Sequence, residues 1–423
     1  MSDRAGVWAA LRVPNFRRYF AGQAVSLVGT WMQTVALSWL VLELTGSGAM
    51  LGLVAAAQFA PVLALGAYRG LLTDRMDKRR VLVGTNTALA LIALLLGLLT
   101  VTHAVRLWMV FGVATALGVV SALDAPARQT FVPEIVGSDH VQNAVSLNSV
   151  LVNASRAVGS AVAGLLIATV GVGVCFLVNA LSFIAVLVAL THLRVAELLG
   201  AGPEAHRPGQ VRDGLRYVRR NPGLWVPLLM MALVGTLAYE FQVVLPLLTT
   251  VGLHAGARTF GLLTAAMGAG AVAGGLATAG LSRAGLVPFT AAAAVFATAL
   301  LIAAVVPTLA AELAALSLVG AASTMFMATG NSTLQLTAHP RYRGRVMALW
   351  SVAFLGSTPV GAPIVGAVCD RFGPRAGLGV GAVACAVATG IGVAALGRPE
   401  ARVSDSRMSE PRGPKGPEGQ DFA

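Results

Sequence analysis

Charge is the scarcest property of this sequence. Only 11% of its 423 residues are charged, whereas 56% are hydrophobic and the mean hydropathy is +0.77. A soluble globular protein carries roughly 25% charged residues, so this chain has too little charge to cover a water-facing surface. Disorder requires low hydrophobicity and high charge density, which here are found together only in Arg398–Ala423. The sequence therefore predicts an integral membrane protein.

Signatures of enzymes and metal proteins are missing as well. The sequence contains no HExxH, P-loop or GxSxG motif, and its three cysteines, Cys175, Cys369 and Cys385, form no CxxC pair. Neither a zinc site nor a disulfide framework is indicated. We expect no enzymatic activity, no metal and no cofactor. Because the sequence has no P-loop, any transport by this chain is expected to use an ion gradient rather than ATP as its energy source.

Long apolar runs, by contrast, are abundant. A helix needs about 20 apolar residues to cross a ~30 Å hydrocarbon core, and runs this continuous are typical of helices rather than of barrel strands. Six runs precede a polar segment and six follow it. They are Tyr19–Leu42, Leu51–Leu72, Val81–Val101, Leu107–Leu123, Ala144–Val170, Val172–Leu193, Leu224–Thr249, Thr259–Leu281, Leu286–Val306, Leu309–Leu334, Arg345–Val368 and Gly377–Leu396.

The basic residues fix a predicted orientation. With the N-terminus inside, the outer segments hold only Arg106, Arg258, Arg371 and Arg375, and nearly all other Lys and Arg residues are on inner segments. Cytoplasmic loops of membrane proteins carry such an excess. We therefore expect both termini in the cytoplasm, and the net charge of +12 needs no nucleic acid to explain it.

The same pattern divides the chain into five parts. We expect a cytoplasmic N-terminus over 1–18, a six-helix bundle over 19–193, a cytoplasmic linker over 194–222, a second six-helix bundle over 223–397 and a disordered cytoplasmic tail over 398–423. Within the linker, Val211–Arg220 fits a short basic helix on anionic lipid headgroups, and equally a solvated connection.

An internal repeat relates the two bundles. A shift of 202 positions superimposes four pairs of glycines: Gly118 on Gly320, Gly159 on Gly361, Gly164 on Gly366 and Gly171 on Gly373. Transporters are commonly built from such repeats around a central site. Because small residues let helices approach closely, Gly159, Gly164, Gly361 and Gly366 are candidates for a sliding interface.

The segment after the second run carries a motif, Gly70-Leu-Leu-Thr-Asp74-Arg75-Met-Asp77-Lys78-Arg79-Arg80. It resembles the loop signature Gly-x-x-x-Asp-Arg-x-Gly-Arg-Arg of the major facilitator superfamily. The stretches Asn15–Gln23, Asp124–Gln129, Arg156–Gly159 and Tyr239–Pro246 resemble its enterobactin-exporter and macrolide-efflux branch.

The resemblance implies an all-α fold of twelve transmembrane helices in two pseudo-symmetric six-helix bundles. It implies export of a small molecule, of the drug, antibiotic or siderophore type, across a bacterial plasma membrane in exchange for protons. It also implies a conformational lock that holds the protein in its outward-facing state. The residues of that lock are Gly70, Asp74, Arg75, Arg79, Arg128 and Arg345. Asp77 departs from the motif glycine, and Ser160 from the proline of the antiporter pattern in the fifth helix.

Polar residues inside the predicted spans are the candidate site. Glu240 and Arg156 lie deep in spans, where charged groups are costly and default to functional candidates. Glu240 fits either proton coupling or a structural hydrogen bond. Arg156 fits pairing with Glu240, binding of a substrate carboxylate or catecholate, or a structural bond to backbone carbonyls. Five further residues fit a polar cavity or interhelical hydrogen bonds: Gln33, Thr34, Asn148, Asn153 and Gln242.

The resulting hypothesis is a monomeric export permease whose halves rock around a central cavity, with a small molecule, protons and membrane lipids as partners. An importer or lipid flippase on the same scaffold stays open. So does a non-transporting membrane sensor or scaffold.

Overall fold

The computed structural model describes residues 9–66, 77–198, 210–281, 284–339 and 342–397. Within these ranges the chain is helical and contains no strand. Twelve helical spans are long and apolar enough to cross a membrane, as predicted. Their bounds are span 1 Pro14–Thr45, span 2 Gly48–Gly66, span 3 Lys78–Val101, span 4 Leu107–Val136, span 5 Val141–Val170, span 6 Val172–Thr191, span 7 Pro222–Leu237 with Phe241–Leu247, span 8 Ala257–Leu281, span 9 Leu286–Val305, span 10 Leu309–Thr337, span 11 Arg343–Leu355 with Thr358–Phe372, and span 12 Pro374–Leu396.

The shorter elements lie in the connections. They are three 3₁₀ turns at Ala9–Arg12, Ser138–His140 and Val195–Glu197, a π-helical turn at Leu248–Gly252 and a linker helix at Gln210–Arg219.

The repeat is visible in the turns that follow spans 5 and 11. Gly171 has φ 94° and ψ 163°, and Gly373, its equivalent, has φ 87° and ψ 162°. Side chains rarely adopt a positive φ, so both turns favour glycine. The two six-helix bundles therefore share local geometry as well as helix order.

Span 4 is longer than its apolar run predicted. It continues to Val136 through a polar stretch because Asp124, although buried, has partners in the neighbouring span. Its Oδ1 accepts hydrogen bonds from Thr85 Oγ1 at 2.8 Å and Asn86 Nδ2 at 3.1 Å. Arg128 Nη2 lies 3.5 Å from Asp124 Oδ2, one helical turn along. A buried carboxylate satisfied in this way is compatible with a continuing helix.

Spans 7 and 11 are both interrupted, and the two interruptions are neighbours. Span 7 loses helical structure at 238–240, and span 11 at 356–357. A Cβ atom built on Gly235 would lie 3.0 Å from Ser357 Oγ, so the helices approach closely beside the breaks. Irregular backbone at membrane depth is tolerated where it is buried in protein or lines a cavity.

The linker helix packs against the second bundle. Val218 is buried, and the Tyr217 hydroxyl accepts a hydrogen bond of 3.1 Å from the His339 backbone N–H. The rings of Tyr217 and Tyr342 stack with centroids 4.3 Å apart. The predicted helix is therefore present, and it is held by protein contacts at the end of span 10 and the start of span 11.

Candidate functional site: a cavity between the two halves

A cavity of about 260 Å³ lies between the two bundles. Spans 1, 2 and 5 of the first half and spans 7, 8 and 11 of the second half line it, so the repeat contributes equivalent spans from each side. Its wall is dominated by aromatic rings, with two charged side chains, Arg156 and Glu240. The aromatic residues are Trp31, Phe59, Tyr239, Phe241, Phe260 and Phe354. An apolar cavity with a few polar groups is typical of a small-molecule site.

The interruption in span 7 places two of these residues. Tyr239 and Glu240 lie in the non-helical segment, and Phe241 begins the following helix. The Tyr239 hydroxyl donates a hydrogen bond of 2.8 Å to the Ser323 carbonyl in span 10, which fixes the ring. The ring also meets Phe354 edge-on at 5.1 Å between centroids. The break thus places an aromatic side chain and a carboxyl group in the wall of the cavity between the halves.

Glu240 is buried, with 4% of its surface exposed. Its carboxyl group and the Thr358 side chain on span 11 both line the cavity. Oε1 has no hydrogen-bond partner among the described residues and is packed close to Gly361.

Arg156 approaches the cavity from the first half. Its guanidinium carbon lies 5.6 Å from the centroid of the Trp31 ring, which is a cation–π contact. Nε is buried, and no described residue offers it a hydrogen bond. No carboxylate oxygen of the described residues lies within 4.0 Å of the guanidinium nitrogens, so Arg156 and Glu240 share the cavity without forming an ion pair.

The other predicted cavity residues fall into two groups. Thr34 and Gln242 line the cavity. Gln33 points away from it, because its Oε1 accepts a hydrogen bond of 2.6 Å from Asn179 Nδ2 on span 6. Asn148 and Asn153 also lie outside the lining, and the Asn153 side chain donates to the Ser149 carbonyl in its own helix at 2.9 Å.

The predicted lock is only partly within the described residues. Gly70, Asp74 and Arg75 lie outside them. Arg79 donates hydrogen bonds to two carbonyls at the end of span 6, those of Leu190 at 2.7 Å and Thr191 at 3.3 Å.

The other two lock residues have local partners. Arg128 pairs with Asp124 one turn away in span 4. The guanidinium carbon of Arg345 lies 5.2 Å from the centroid of the Tyr342 ring. Asp77, the residue that departs from the motif, caps span 3 by accepting hydrogen bonds from the backbone N–H groups of Arg79 and Arg80.

The four candidate sliding glycines separate into two equivalent pairs. A Cβ on Gly159 would meet span 1, and one on Gly361 would meet span 7, so these two pack within a half. A Cβ on Gly164 would lie 2.8 Å from the Gly261 Cα in span 8. Gly366 packs directly against the Gly48 carbonyl in span 2. Gly164 and Gly366 therefore form crossings between the halves.

One residue at these crossings was missed by sequence reasoning. Asp370, near the end of span 11, accepts hydrogen bonds from the N-terminus of span 2. Its Oδ1 accepts from Gly48 N at 2.5 Å, and its Oδ2 from Ser47 Oγ at 2.8 Å and Ala49 N at 2.9 Å. The sequence shows only that an acidic residue lies near the end of a span. It does not show that the N-terminus of another helix packs against that residue. Asp370 is a helix cap supplied by the other half of the molecule.

No group of three or more His, Cys, Asp or Glu side chains in the described parts of the chain is arranged to hold a metal ion. The polar groups that line the cavity are hydroxyl groups, the Gln242 amide, the Arg156 guanidinium and the Glu240 carboxyl group.

Comparisons with known proteins agree with this architecture. The sequence profile of the transmembrane secretion effector family matches residues 5–414. The staphyloferrin A transporter of Staphylococcus aureus is 26% identical over 247 residues, 58% of this chain and 62% of that protein. This chain thus matches less than two thirds of that relative's length. The multidrug efflux pump Tap of Mycolicibacterium fortuitum is 29% identical over 377 residues, 82% of this chain and 87% of the pump.

A solved structure shares the fold. A bacterial homologue of the human lysosomal transporter Spinster, crystallised in an inward-facing, unoccupied conformation, superposes with a TM-score of 0.74 at 14% identity, over 95% of this chain and 99% of that one. With the profile match, the twelve spans and the duplicated bundles, this identifies a multi-pass membrane protein that belongs to the transmembrane secretion effector family of the major facilitator superfamily.

Proposed function

We propose that this protein exports a small amphipathic molecule from the cytoplasm of a bacterium, in exchange for protons, by exposing the central cavity to each side of the membrane in turn. The observation that carries the proposal is the cavity itself. Equivalent spans of both halves build it, at the interruption of span 7. A site shared in this way changes its access when one half rocks against the other.

The contacts between the halves support a state closed on one side. We call one end of the molecule the far end: it carries the connection between spans 1 and 2 and the connection between spans 11 and 12. There Gly164 packs on Gly261, Gly366 on Gly48, and Asp370 caps span 2. By the distribution of basic residues the far end is extracellular and both termini are cytoplasmic. The cavity in this state would be filled from the cytoplasm.

Glu240 is the proposed proton-coupling residue. Intramembrane carboxyl groups that face a cavity mark ion pathways and proton relays in transporters. Glu240 lies in the wall of the cavity, within the break in span 7, and forms no ion pair with any described residue. A proton could therefore be exchanged there without dismantling an ion pair.

The opposite closed state would use the predicted lock. In this proposal Gly70, Asp74 and Arg75 close the cytoplasmic end against the start of span 11 near Arg345, with Arg79 and Arg128 in support. Arg79 and Arg128 are already held at the ends of spans 6 and 4, so this side of the first half is preorganised.

The test is accumulation of two fluorescent probes of opposite charge, ethidium and naphthalene-2-carboxylate, in inside-out vesicles with an acidic interior. We expect uptake of at least one probe that collapses when the pH gradient is dissipated. Glu240→Gln should abolish gradient-driven uptake, whereas Glu43→Gln, at an exposed carboxyl that accepts a hydrogen bond from Trp39 Nε1, should leave it unchanged.

Three results would decide against parts of the proposal. Uptake in right-side-out vesicles instead would indicate import. Unchanged uptake by Glu240→Gln would remove Glu240 from the coupling mechanism. No movement of either probe by purified protein in liposomes under an imposed gradient would favour a sensor or scaffold.

A further inference from the structure

Arg156 is a cation in an apolar cavity and has no ion-pair partner among the described residues. None of the ion pairs or hydrogen bonds of the described residues involves its guanidinium group, and Nε is buried without a partner. Its guanidinium carbon lies over the face of the Trp31 ring, 5.6 Å from the centroid. A charge in the membrane interior is costly and is normally paired or turned toward a substrate pathway.

No carboxylate of the described residues lies close enough to form an ion pair with Arg156. The carboxyl group of Glu240, the other charged residue of the cavity, has Oε1 packed near Gly361 and does not lie within ion-pairing distance of Arg156. The Tyr239 hydroxyl donates a hydrogen bond to the Ser323 carbonyl. The remaining polar lining residues are neutral hydroxyl groups and one amide, Gln242.

We propose that the transported molecule carries a carboxylate that binds Arg156, with its apolar part against the aromatic wall. This inference rests on the proposed function, because it takes the cavity as the transport site. A guanidinium group matches a carboxylate geometrically through two parallel N–H···O bonds. The cavity, about 260 Å³ with six aromatic residues in its wall, suits an amphipathic organic acid with a small aromatic or apolar body.

The experiment compares two probes of the same shape, naphthalene-2-carboxylate and naphthalene-2-carboxamide. Equilibrium binding of each is measured to the full-length protein in lipid nanodiscs, without any gradient. The variants are Arg156→Gln, Arg156→Lys, which keeps the charge, and Arg106→Gln, which removes a positive charge from an exposed residue at the start of span 4.

We expect the wild-type protein and Arg106→Gln to bind the carboxylate about tenfold or more tightly than the carboxamide, since hydrogen bonds to charged groups are the strong ones. Arg156→Gln should lose this preference while binding the carboxamide as before. Arg156→Lys should keep part of the preference. A variant that merely unfolds would lose both probes, so retained carboxamide binding separates a local effect from a structural one.

Equal binding of the two probes by the wild type, or an unchanged preference in Arg156→Gln, would overturn the proposal. Either result would assign Arg156 to a structural role, such as pairing with Glu240 in another state. Export would survive that outcome. A protein that pumps ethidium yet binds carboxylate and carboxamide equally keeps the proposed function and loses only the assignment of Arg156.

Discussion

The two helix crossings between the halves both contain paired glycines, but they differ in their polar contacts. Span 5 meets span 8 at Gly164 and Gly261, and span 11 meets span 2 at Gly366 and Gly48. The second crossing adds Asp370, which accepts three hydrogen bonds from the start of span 2. The equivalent position in span 5, 202 residues earlier, is Ala168, which has no acceptor side chain.

This difference separates two physical roles. Paired glycines let two helix backbones approach, and they do so equally at both crossings. A carboxylate at a helix N-terminus adds a directional, charge-assisted contact that is made or broken as a unit. We infer that close packing was retained in both repeats, whereas among the described residues the side chain that caps a helix of the other half at the far end comes from span 11.

The largest effect is expected from placing a large side chain at a glycine of one of the two helix crossings. A Cβ on Gly366 or Gly164 already meets backbone of the opposite half, so Gly366→Leu and Gly164→Leu should prevent far-end closure. Overpacking of this kind costs roughly 1–3 kcal/mol, enough to shift a two-state equilibrium severalfold to more than a hundredfold. Both variants should lose most probe uptake in vesicles.

The matched control is Gly379→Leu in span 12, because a Cβ at Gly379 meets no atom within 4 Å. It should transport normally. If Gly366→Leu and Gly379→Leu transported at the same rate, the glycine crossings would not be part of the closing interface.

A smaller effect is expected from removing the polar closure. Asp370→Ala makes the second crossing resemble the first, and loss of a helix cap costs about 1 kcal/mol, or about a fivefold change in the equilibrium. The closed far end should become correspondingly less populated. Distances between spin labels at Thr102 and Val305, exposed residues at the far end of each half, measure this population.

Ala168→Ser at the equivalent position of span 5 is the comparison variant, since Ala168 is exposed and has no part in a cap. It should leave the label distances unchanged. An Asp370→Ala protein with the wild-type distance distribution would show that the cap does not hold the far end closed.

The smallest effect is expected from Ser47→Ala. This change removes the hydrogen bond to Asp370 and the long one of 3.4 Å that Ser47 Oγ accepts from Met50 N, and it leaves the two backbone contacts from Gly48 and Ala49. One of the three hydrogen bonds to Asp370 contributes less than the whole cap, whose loss costs about 1 kcal/mol. The shift in label distances should lie between those of wild type and Asp370→Ala. A Ser47→Ala shift as large as that of Asp370→Ala would mean that the hydroxyl group, rather than the helix N-terminus, carries the contact.

The cavity shows where sequence reasoning succeeded and where it could not. Glu240 and Arg156 were recognisable because charges inside apolar runs are rare, and both line the cavity. Gln33 and Thr34 are adjacent in the same span, yet only Thr34 reaches the cavity, while Gln33 bonds to Asn179. Neighbours on a helix face different directions, and hydropathy does not say which direction is the cavity.

The sequence by itself determined that this is a membrane protein of twelve helical spans in two related halves, because hydrophobic length and repeat spacing are local, one-dimensional properties. Only the tertiary structure decided that span 7 opens at Tyr239 and Glu240, that Arg156 has no ion-pair partner among the described residues, and that Asp370 caps a helix of the other half. These features depend on pairs of groups distant in sequence, Asp370 and Gly48 being 322 residues apart, and on the three-dimensional packing that brings them together.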